Sequence, residues 1–257
     1  MSYAIITGAS KGIGKAIAIS LAKRNTDLII IARSGDLLEQ LAAELIRDYS
    51  IKVECFVIDL CLPDAAEQIL AWCRQNGFSI HILVNNAGYG LAGVFENHNW
   101  PKQRDLMTVN MNMPVHMIHT FLPMLKQQPQ SYILNIVSTT AYQALPKLAL
   151  YAASKSFILS FSRALQYELT NTSVSVTAVS PGSTDTEFVK NAEMGPKAAK
   201  NAAKFNMSAA AVAEIAVRAM FAKKVEVITG FSNRLGAFMA WLLPKRLIEK
   251  TAAGFYD

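Results

Sequence analysis

Seven apolar runs of strand length recur along the chain, and helix-length amphipathic segments separate them. The runs are Ala4 to Thr7, Asp27 to Ala32, Lys52 to Asp59, Ile80 to Asn85, Tyr132 to Ser138, Val174 to Ser180 and Val225 to Ile228. The predicted helices are Ile13 to Arg24, Leu37 to Tyr49, Ala65 to Gln75, Gln103 to Leu125, Ala149 to Leu169 and Ala209 to Ala222. Strands that alternate with helices are typical of βαβ units and of a parallel sheet buried on both faces. We therefore expect an α/β fold, a Rossmann-type doubly wound parallel sheet of about seven strands in three α/β/α layers.

The size of the chain is compatible with one domain. Its 257 residues, 52% of them apolar, are enough to bury one large core, and single α/β domains reach this length. Ser208 is placed to act as the N-cap of the last predicted helix. We expect a single domain over residues 1–257.

A glycine-rich turn joins the first predicted strand to the first predicted helix. It reads Thr7-Gly8-Ala9-Ser10-Lys11-Gly12-Ile13-Gly14, with the spacing G-x-x-x-G-x-G. In this position the helix N-terminus can face a pyrophosphate, and glycines let the backbone approach it closely. We assign dinucleotide binding to Gly8, Ser10, Lys11, Gly12, Ile13 and Gly14, with a simple tight turn as the alternative.

The residue at the end of the second strand bears on which dinucleotide binds. An acidic residue there binds the ribose 2'-hydroxyl, whereas an arginine suits a 2'-phosphate. This chain has Arg33 at that point, and Lys11 in the glycine turn adds a second cation. A solvated lysine and an arginine paired with a carboxylate are the alternatives. The pattern favours NADP(H) over NAD(H).

A tyrosine and a lysine four residues apart lie in the fifth predicted helix, thirteen residues after Ser138. Positions i and i+4 share a helix face, so the ammonium of Lys155 can lie beside the phenol of Tyr151. A phenol has a pKa of about 10, and a cation within about 4 to 6 Å lowers it. Tyr151 could then exchange a proton with a carbonyl or alcohol oxygen. The alternative is a surface pair that merely shares a helix face.

In their order along the chain, these motifs resemble those of the classical short-chain dehydrogenases/reductases. The matching residues are Thr7-Gly8-x-x-x-Gly12-x-Gly14, Asn85-Asn86-Ala87-Gly88, Ser138, Tyr151-x-x-x-Lys155 and Pro181-Gly182. The resemblance implies an oxidoreductase that transfers a hydride between nicotinamide and a carbonyl or secondary alcohol, and Arg33 with Lys11 makes NADP(H) the expected cofactor. It implies that Tyr151 passes the proton and that Ser138 holds the substrate oxygen. Lys155 would bind the nicotinamide ribose and lower the pKa of Tyr151.

The same resemblance implies further site residues. Asn110 would be the fourth catalytic residue, which in the family helps to hold a water in a proton relay, and Asp59 would contact adenine. The other implied cofactor contacts are Asn86, Ala87, Gly88, Tyr151, Lys155, Pro181, Gly182, Thr184 and Thr186. Two catalytic positions have local alternatives, because Ser138 can cap backbone groups and Asn110 can be an ordinary helix amide.

Charge and cysteine content argue against several other classes. The net charge is +6, but no dense basic run occurs, so we do not expect nucleic-acid binding. Cys55, Cys61 and Cys73 form no CxxC motif and indicate thiols in a reducing compartment. His116 and His119 share a helix face without a third ligand, and we predict no metal site. The first apolar run leads directly into the glycine turn, which leaves no removable signal peptide, and we expect a cytoplasmic protein.

Two segments after Pro181-Gly182 bear on the substrate. Residues 183–207 are the predicted substrate lid, and residues 230–257 form a C-terminal extension. The apolar part of the extension, Leu235 to Leu243, is too short to span a membrane. Such tails resemble those of 3-oxoacyl and hydroxysteroid reductases, which favours a lipophilic or acyl-type substrate. Packing of the tail on its own domain or on a neighbouring subunit is the alternative.

The resemblance also implies a homodimer or homotetramer, paired through the helices that carry Asn110 and Tyr151. Two other functions stay open. One is a catalytically silent NADP(H)-binding scaffold that senses redox state, which the complete set of four catalytic residues disfavours. The other is a peripheral membrane reductase that uses Leu235 to Lys250 as an interfacial anchor.

Overall fold

A seven-stranded parallel sheet forms the centre of the molecule. The computed structural model describes residues 2–188, 192, 195 and 206–256. Within them the strands are β1 Ser2–Thr7, β2 Asp27–Ala32, β3 Val53–Val57, β4 Ser79–Asn85, β5 Ser131–Ile136, β6 Val174–Ser180, β7 Thr184–Asp185, β8 Met207–Ser208 and β9 Glu226–Ile228. The main sheet has the order β3-β2-β1-β4-β5-β6-β9, and every neighbouring pair is parallel. The order reverses between β1 and β4, which opens a crevice at their carboxyl ends.

Helices cover both faces of this sheet. They are α1 Gly12–Ala22, α2 Gly35–Tyr49, α3 Ala65–Gln75, α4 Trp100–Met107, α5 Met113–Lys126, α6 Ala149–Glu168, α7 Ala209–Phe221, α8 Phe231–Leu242 and α9 Lys245–Tyr256. Residues of α1, α2 and α7 share one buried cluster, and residues of α3 and α5 share another. The predicted three-layer, doubly wound fold is confirmed.

The two cores follow from the alternation of side chains along the strands. In β1, Ala4 and Ile6 enter the first cluster, whereas Tyr3 and Ile5 enter the second. Because both faces are covered, the strand is apolar over most of its length. The predicted N-cap is also confirmed, since Ser208 Oγ accepts a hydrogen bond from the N–H of Ala211 at 3.2 Å.

Two predicted elements have different bounds in the structure. The helix predicted over Gln103 to Leu125 is divided into α4 and α5 by a π-helical turn, Thr108–Asn112. The strand predicted over Lys52 to Asp59 is shorter, because Asp59 Oδ1 accepts a hydrogen bond from the N–H of Cys61 at 2.9 Å and turns the chain. Both departures occur beside the crevice. Neither departure can be predicted from the hydrophobic periodicity of the sequence.

The ends of the predicted lid are joined by a small two-stranded parallel ladder. Thr184 of β7 pairs with Met207 of β8, and Asp185 pairs with Ser208. The lid positions 189–191, 193–194 and 196–205 lie outside the described residues. Of the helices that the structure describes, none combines the length and the hydrophobicity that crossing a membrane requires.

Candidate active site

The glycine turn closes tightly between β1 and α1. Gly8 and Gly12 have φ values of 65° and 55°, a region that favours glycine. A Cβ on Gly14 would lie 2.2 Å from the carbonyl oxygen of Gly8, so only glycine fits there. The first turn of α1 carries no acidic side chain, so its positive N-terminus is uncompensated. This arrangement fits a pyrophosphate.

A polar clamp fastens the glycine turn to the chain after β4. Thr7 Oγ1 donates to the carbonyl of Val84 at 3.2 Å and accepts from the N–H groups of Asn86 and Ala87 at 3.1 and 3.2 Å. In the opposite direction, the side-chain amide of Asn86 donates hydrogen bonds to the carbonyls of Thr7 and Gly8 at 3.0 and 3.1 Å. The clamp therefore joins the loop after β1 to the loop after β4, the two strands between which the order of the sheet reverses. Thr7 was not predicted to be a site residue, although it precedes Gly8 in the motif.

Lys155 lies buried at the carboxyl end of β5. Its Nζ donates to the carbonyl of Ile136 at 2.9 Å and lies 5.8 Å from the centroid of the Tyr151 ring. Burial lowers the pKa of Lys155 from its ordinary 10.5 to about 8. The side chain is therefore still mainly protonated at pH 7. The ammonium of Lys155 thus lies near the ring of Tyr151.

Tyr151 and Ser138 face the same cleft. The Tyr151 ring is buried and packs against Phe188, with 5.1 Å between the ring centroids. Ser138 follows β5, and its Oγ accepts a hydrogen bond from the N–H of Thr140 at 3.2 Å. The capping role that was the alternative for Ser138 is thus real. A hydroxyl that accepts one bond keeps its own proton to donate, so the cap leaves Ser138 able to bind a substrate oxygen.

Asn110 lies in the π-helical turn, behind the cleft. Its Oδ1 accepts from the N–H of Tyr89 at 3.1 Å, and its Nδ2 donates to the carbonyl of Tyr89 at 2.9 Å and to Ser154 Oγ at 3.1 Å. Ser154 Oγ in turn donates to the carbonyl of Tyr151 at 2.7 Å. Asn110 is therefore more than an ordinary helix amide, because it ties the loop after β4 to the helix of Tyr151. A π-turn is often found at a functional site.

Gly88 occupies a narrow position between two of these residues. A Cβ there would lie 3.0 Å from Asn110 Oδ1 and 3.4 Å from Lys155 Nζ. Ser154 was not predicted as part of the site. Its position between Tyr151 and Lys155 in the motif was the available signal.

The cleft has a volume of about 1320 Å³, and most of the predicted site residues line it. The lining includes Gly8, Ser10, Lys11, Gly12, Ile13, Arg33, Asp59, Asn86, Ala87, Gly88, Ser138, Tyr151, Lys155, Pro181, Gly182, Thr184 and Thr186. Gly14 and Asn110 are not in the lining, since Gly14 supports the glycine turn from beneath and Asn110 is buried behind Gly88. The same cleft therefore contains both the predicted cofactor-binding residues and the predicted catalytic residues Ser138, Tyr151 and Lys155.

The cations at the far end of the cleft differ in their surroundings. Arg33 is exposed at the rim and pairs with no carboxylate of the described residues. Lys11 Nζ instead lies 2.8 Å from Glu187 Oε2, and both side chains are about half exposed. Such a surface pair contributes little energy and exchanges readily. Arg33 is thus the better placed cation for an anionic ligand.

The C-terminal extension reaches the other end of the cleft. Asn233 of α8 packs against Gly182, where a Cβ would lie 2.3 Å from Asn233 Nδ2. The same Nδ2 donates to the carbonyl of Thr229 at 2.7 Å. Farther along, Ala252 of α9 joins the buried cluster that contains Tyr151. No sequence signal indicated Asn233, because its role depends on the path of the tail.

The described part of the cleft does not bring metal-binding side chains together. Among the described residues, no three His, Cys, Asp or Glu side chains are close enough to hold a metal ion. His116 Nε2 lies 2.6 Å from Glu67 Oε1 on the surface, away from the cleft. His116 has its polar contact outside the site.

Sequence comparisons identify relatives over most of the chain. The short chain dehydrogenase family model matches residues 2–197. A 7beta-hydroxysteroid dehydrogenase of Clostridium sardiniense is 29% identical over 197 residues, which cover 76% of this chain and 75% of that protein.

Solved structures extend the likeness to the fold. A 7beta-hydroxysteroid dehydrogenase matches with a TM-score of 0.87 at 23% identity, over 98% of this chain and 96% of the other. A short-chain dehydrogenase of Sphingobium yanoikuyae in complex with NADPH matches with a TM-score of 0.83 at 27% identity, over 94% and 93%. A short chain dehydrogenase/reductase of Burkholderia phymatum in complex with NAD matches with a TM-score of 0.81 at 22% identity, over 94% of each chain.

Proposed function

The chain belongs to the short chain dehydrogenase family, and we propose that it is an NADP(H)-dependent oxidoreductase that interconverts a carbonyl compound and a secondary alcohol. The observation that carries the proposal is the arrangement of three groups at the carboxyl end of β5. Ser138, Tyr151 and Lys155 line one cleft, and the buried Nζ of Lys155 is held by the Ile136 carbonyl at 2.9 Å. Residues 1–257 act as one dinucleotide-binding catalytic domain.

In the proposed reaction each residue has one task. A bound nicotinamide supplies the hydride in reduction and accepts it in oxidation. Ser138 and Tyr151 hold the substrate oxygen by hydrogen bonds that strengthen as negative charge develops on it. Tyr151 gives its proton to that oxygen in reduction and takes it back in oxidation. The Lys155 cation, still protonated at pH 7, favours the phenolate and offers donors to a ribose.

Asn110 and the Thr7 clamp position these groups. The side chain of Asn110 binds both backbone groups of Tyr89 and the hydroxyl of Ser154. That link keeps Gly88 close to Lys155 and holds the helix of Tyr151 in register with the cofactor loops. Catalytic geometry depends on such fixed supports, because small displacements of a reacting group reduce the rate strongly.

NADP(H) is the proposed cofactor because of the charge at the end of β2. Arg33 is an exposed cation at the cleft rim, in the place where NAD-binding sites have a carboxylate. Both NADPH and NAD occur in the complexes of structurally similar proteins. The preference therefore rests on Arg33 of this chain.

A lipophilic substrate is the proposed class. Leu148 and Phe188 contribute apolar surface to the cleft near Tyr151, Leu91 also lines the cleft, and Ala252 of α9 packs in the same cluster as Tyr151. Apolar walls with few polar groups are typical of sites for small organic ligands. The hydroxysteroid relative supports a bulky alicyclic substrate of this kind. The free thiols of Cys55, Cys61 and Cys73 suit a reducing cytoplasm.

The test is a panel of aldehydes, small ketones, long-chain 3-oxoacyl esters and steroid ketones. Each is mixed with NADPH or NADH, and the absorbance of the reduced nicotinamide is followed. We expect consumption of NADPH with the bulky carbonyls and weaker activity with NADH. A protein that binds NADPH but turns over no carbonyl or alcohol would be a silent scaffold and would overturn the proposal.

A further inference from the structure

Helix α8 presents its large apolar side chains to solvent and its small ones to the protein. Phe231 and Trp241 are 78% and 72% exposed, and Leu235, Phe238 and Leu242 are also exposed. Positions 231, 235, 238 and 242 recur at the spacing of one helix face. The opposite face consists of Asn233, Ala237 and Ala240, of which Ala240 is fully buried. This is the reverse of the usual amphipathic arrangement on a protein surface.

The exposed stripe continues into α9, and exposed basic residues lie along the same segment of the chain. Leu247 extends the apolar area, and we call the six exposed side chains the tail surface: Phe231, Leu235, Phe238, Trp241, Leu242 and Leu247. The cations of this segment are Arg234, Lys245, Arg246 and Lys250, all exposed. In the sequence of residues 230–257 these four cations stand against two carboxylates, Glu249 and Asp257, which gives a net charge of +2. Aromatic and aliphatic residues on one side with Lys and Arg around them are typical of helices that lie in a membrane interface.

A second copy of the chain would fit the tail surface less well. A two-fold contact places the same surface on itself, so a segment of charge +2 would meet another of charge +2. Like charges brought together across an interface oppose association. The chain also offers another apolar feature on α6, where the rings of Phe157 and Phe161 stack with 6.3 Å between centroids. An anionic bilayer would both cover the apolar stripe and attract the positive charge of the segment.

We propose that the tail surface docks on the surface of an anionic lipid bilayer. The apolar side chains enter the headgroup region, and the four cations contact lipid phosphates and carboxylates. The docked face is continuous with the cleft, because Phe231, Ser232 and Asn233 also line it. A lipophilic substrate would then reach Tyr151 from the bilayer side, a consequence that rests on the proposed function.

The experiment is co-sedimentation of the full chain with phosphatidylcholine vesicles that contain or lack phosphatidylserine. We expect binding to the anionic vesicles that weakens at high salt and is much poorer on neutral vesicles. Phe238→Ser with Trp241→Ser should reduce binding at least about tenfold, because two aromatic side chains that would enter the headgroup region are lost. Trp100→Ser is the matched control, since Trp100 is also exposed but lies at the start of α4.

A second pair of variants tests the charge. Lys245→Gln with Arg246→Gln should weaken binding about thirtyfold, at roughly fivefold for each cation near an anionic surface. Lys223→Gln with Lys224→Gln is the control, because this adjacent pair precedes β9, whereas α8 begins after the other end of that strand. Equal losses in both pairs would show nonspecific attraction and would overturn the proposal.

Two other results would also overturn it. One is a folded wild-type protein that binds NADPH but no anionic vesicle. The other is an oligomer that dissociates in light scattering when Phe238 and Trp241 become serine, which would assign the surface to a second copy. Carbonyl reduction is measured without vesicles, so failure of the proposed activity and failure of membrane docking are separate outcomes.

Discussion

Gly182 and Asn233 should be strongly coupled in stability, because the tail helix leaves no room for a side chain at Gly182. An alanine Cβ there would lie 2.3, 2.4 and 2.5 Å from Nδ2, Oδ1 and Cγ of Asn233. Asn233 cannot move away without losing its 2.7 Å bond to the carbonyl of Thr229. Overpacking costs about 1 to 3 kcal/mol, and the lost hydrogen bond costs about 1 kcal/mol more. Gly182→Ala should therefore lower the free energy of unfolding by about 2 to 4 kcal/mol.

The partner variant removes the clash. Asn233→Ala lacks all three of the atoms that approach Gly182, and alone it should cost only the bond to Thr229, about 1 kcal/mol. The double variant should then be about as stable as Asn233→Ala, which is a coupling of roughly 2 to 4 kcal/mol. In thermal unfolding, Gly182→Ala should lower Tm by roughly 4 to 16 °C. Affinity for NADPH should follow the same pattern, because Gly182 lines the cleft.

Gly236→Ala is the matched control on the same helix. A Cβ at Gly236 meets no atom within 4 Å, so the substitution should raise stability by about 0.5 to 1 kcal/mol. Additive effects of Gly182→Ala and Asn233→Ala would refute the reasoning, since they would mean that the tail does not press on the cofactor loop.

Three further predictions concern cofactor choice, pH and assembly. Arg33→Asp should reduce NADPH affinity at least about tenfold and favour NADH. Arg47 is a surface arginine that pairs with Asp48, so the control Arg47→Asp should change neither property. A fluorescence titration in which the wild type binds both cofactors with equal affinity would contradict this prediction. Because burial lowers the pKa of Lys155 from 10.5 to about 8, the folded state binds fewer protons than the unfolded state between these values, and stability should rise with pH across that window. In urea unfolding, the stability of the wild type relative to Lys155→Met should increase by about 3 kcal/mol from pH 8 to 10.5, and a constant difference would contradict the burial of the charge. Light scattering should show that the wild type is a dimer or tetramer and that Phe157→Asp dissociates it. Ile46→Asp is the control, because Ile46 on α2 is similarly exposed, and it should leave the oligomer intact. A monomeric wild type would reject the prediction.

Most of the fold is visible in the sequence because the sheet is buried on both faces. Such strands read as continuous apolar runs, so β1, β2, β4 and β6 fall within a residue or two of their predicted bounds. The glycine turn was also predictable, since its conformation and its contacts exclude other residues. Local pattern and global fold agree at these positions.

The departures arise where tertiary contacts override the local pattern. Apolar periodicity runs through Gln103 to Leu125, and it cannot show that Asn110 is drawn towards Tyr89 within a π-turn. The clamp made by Thr7 depends on Asn86, 79 positions away along the chain. Asn233 depends on the path of a tail that lies beyond the last strand of the sheet. Residues that act by joining distant loops leave little trace in a single sequence.

The most direct measurement of the central claim is the rate of carbonyl reduction by Tyr151→Phe, together with its affinity for NADPH. The account predicts that turnover falls at least about a hundredfold, because the group that passes the proton is gone, while NADPH still binds through the glycine turn. Tyr89→Phe is the control: its phenol lines the same cleft, but burial raises its pKa to about 12, and turnover should be retained. A Tyr151→Phe protein that reduces carbonyls at the wild-type rate would contradict the assignment of Tyr151, and with it the proposed mechanism.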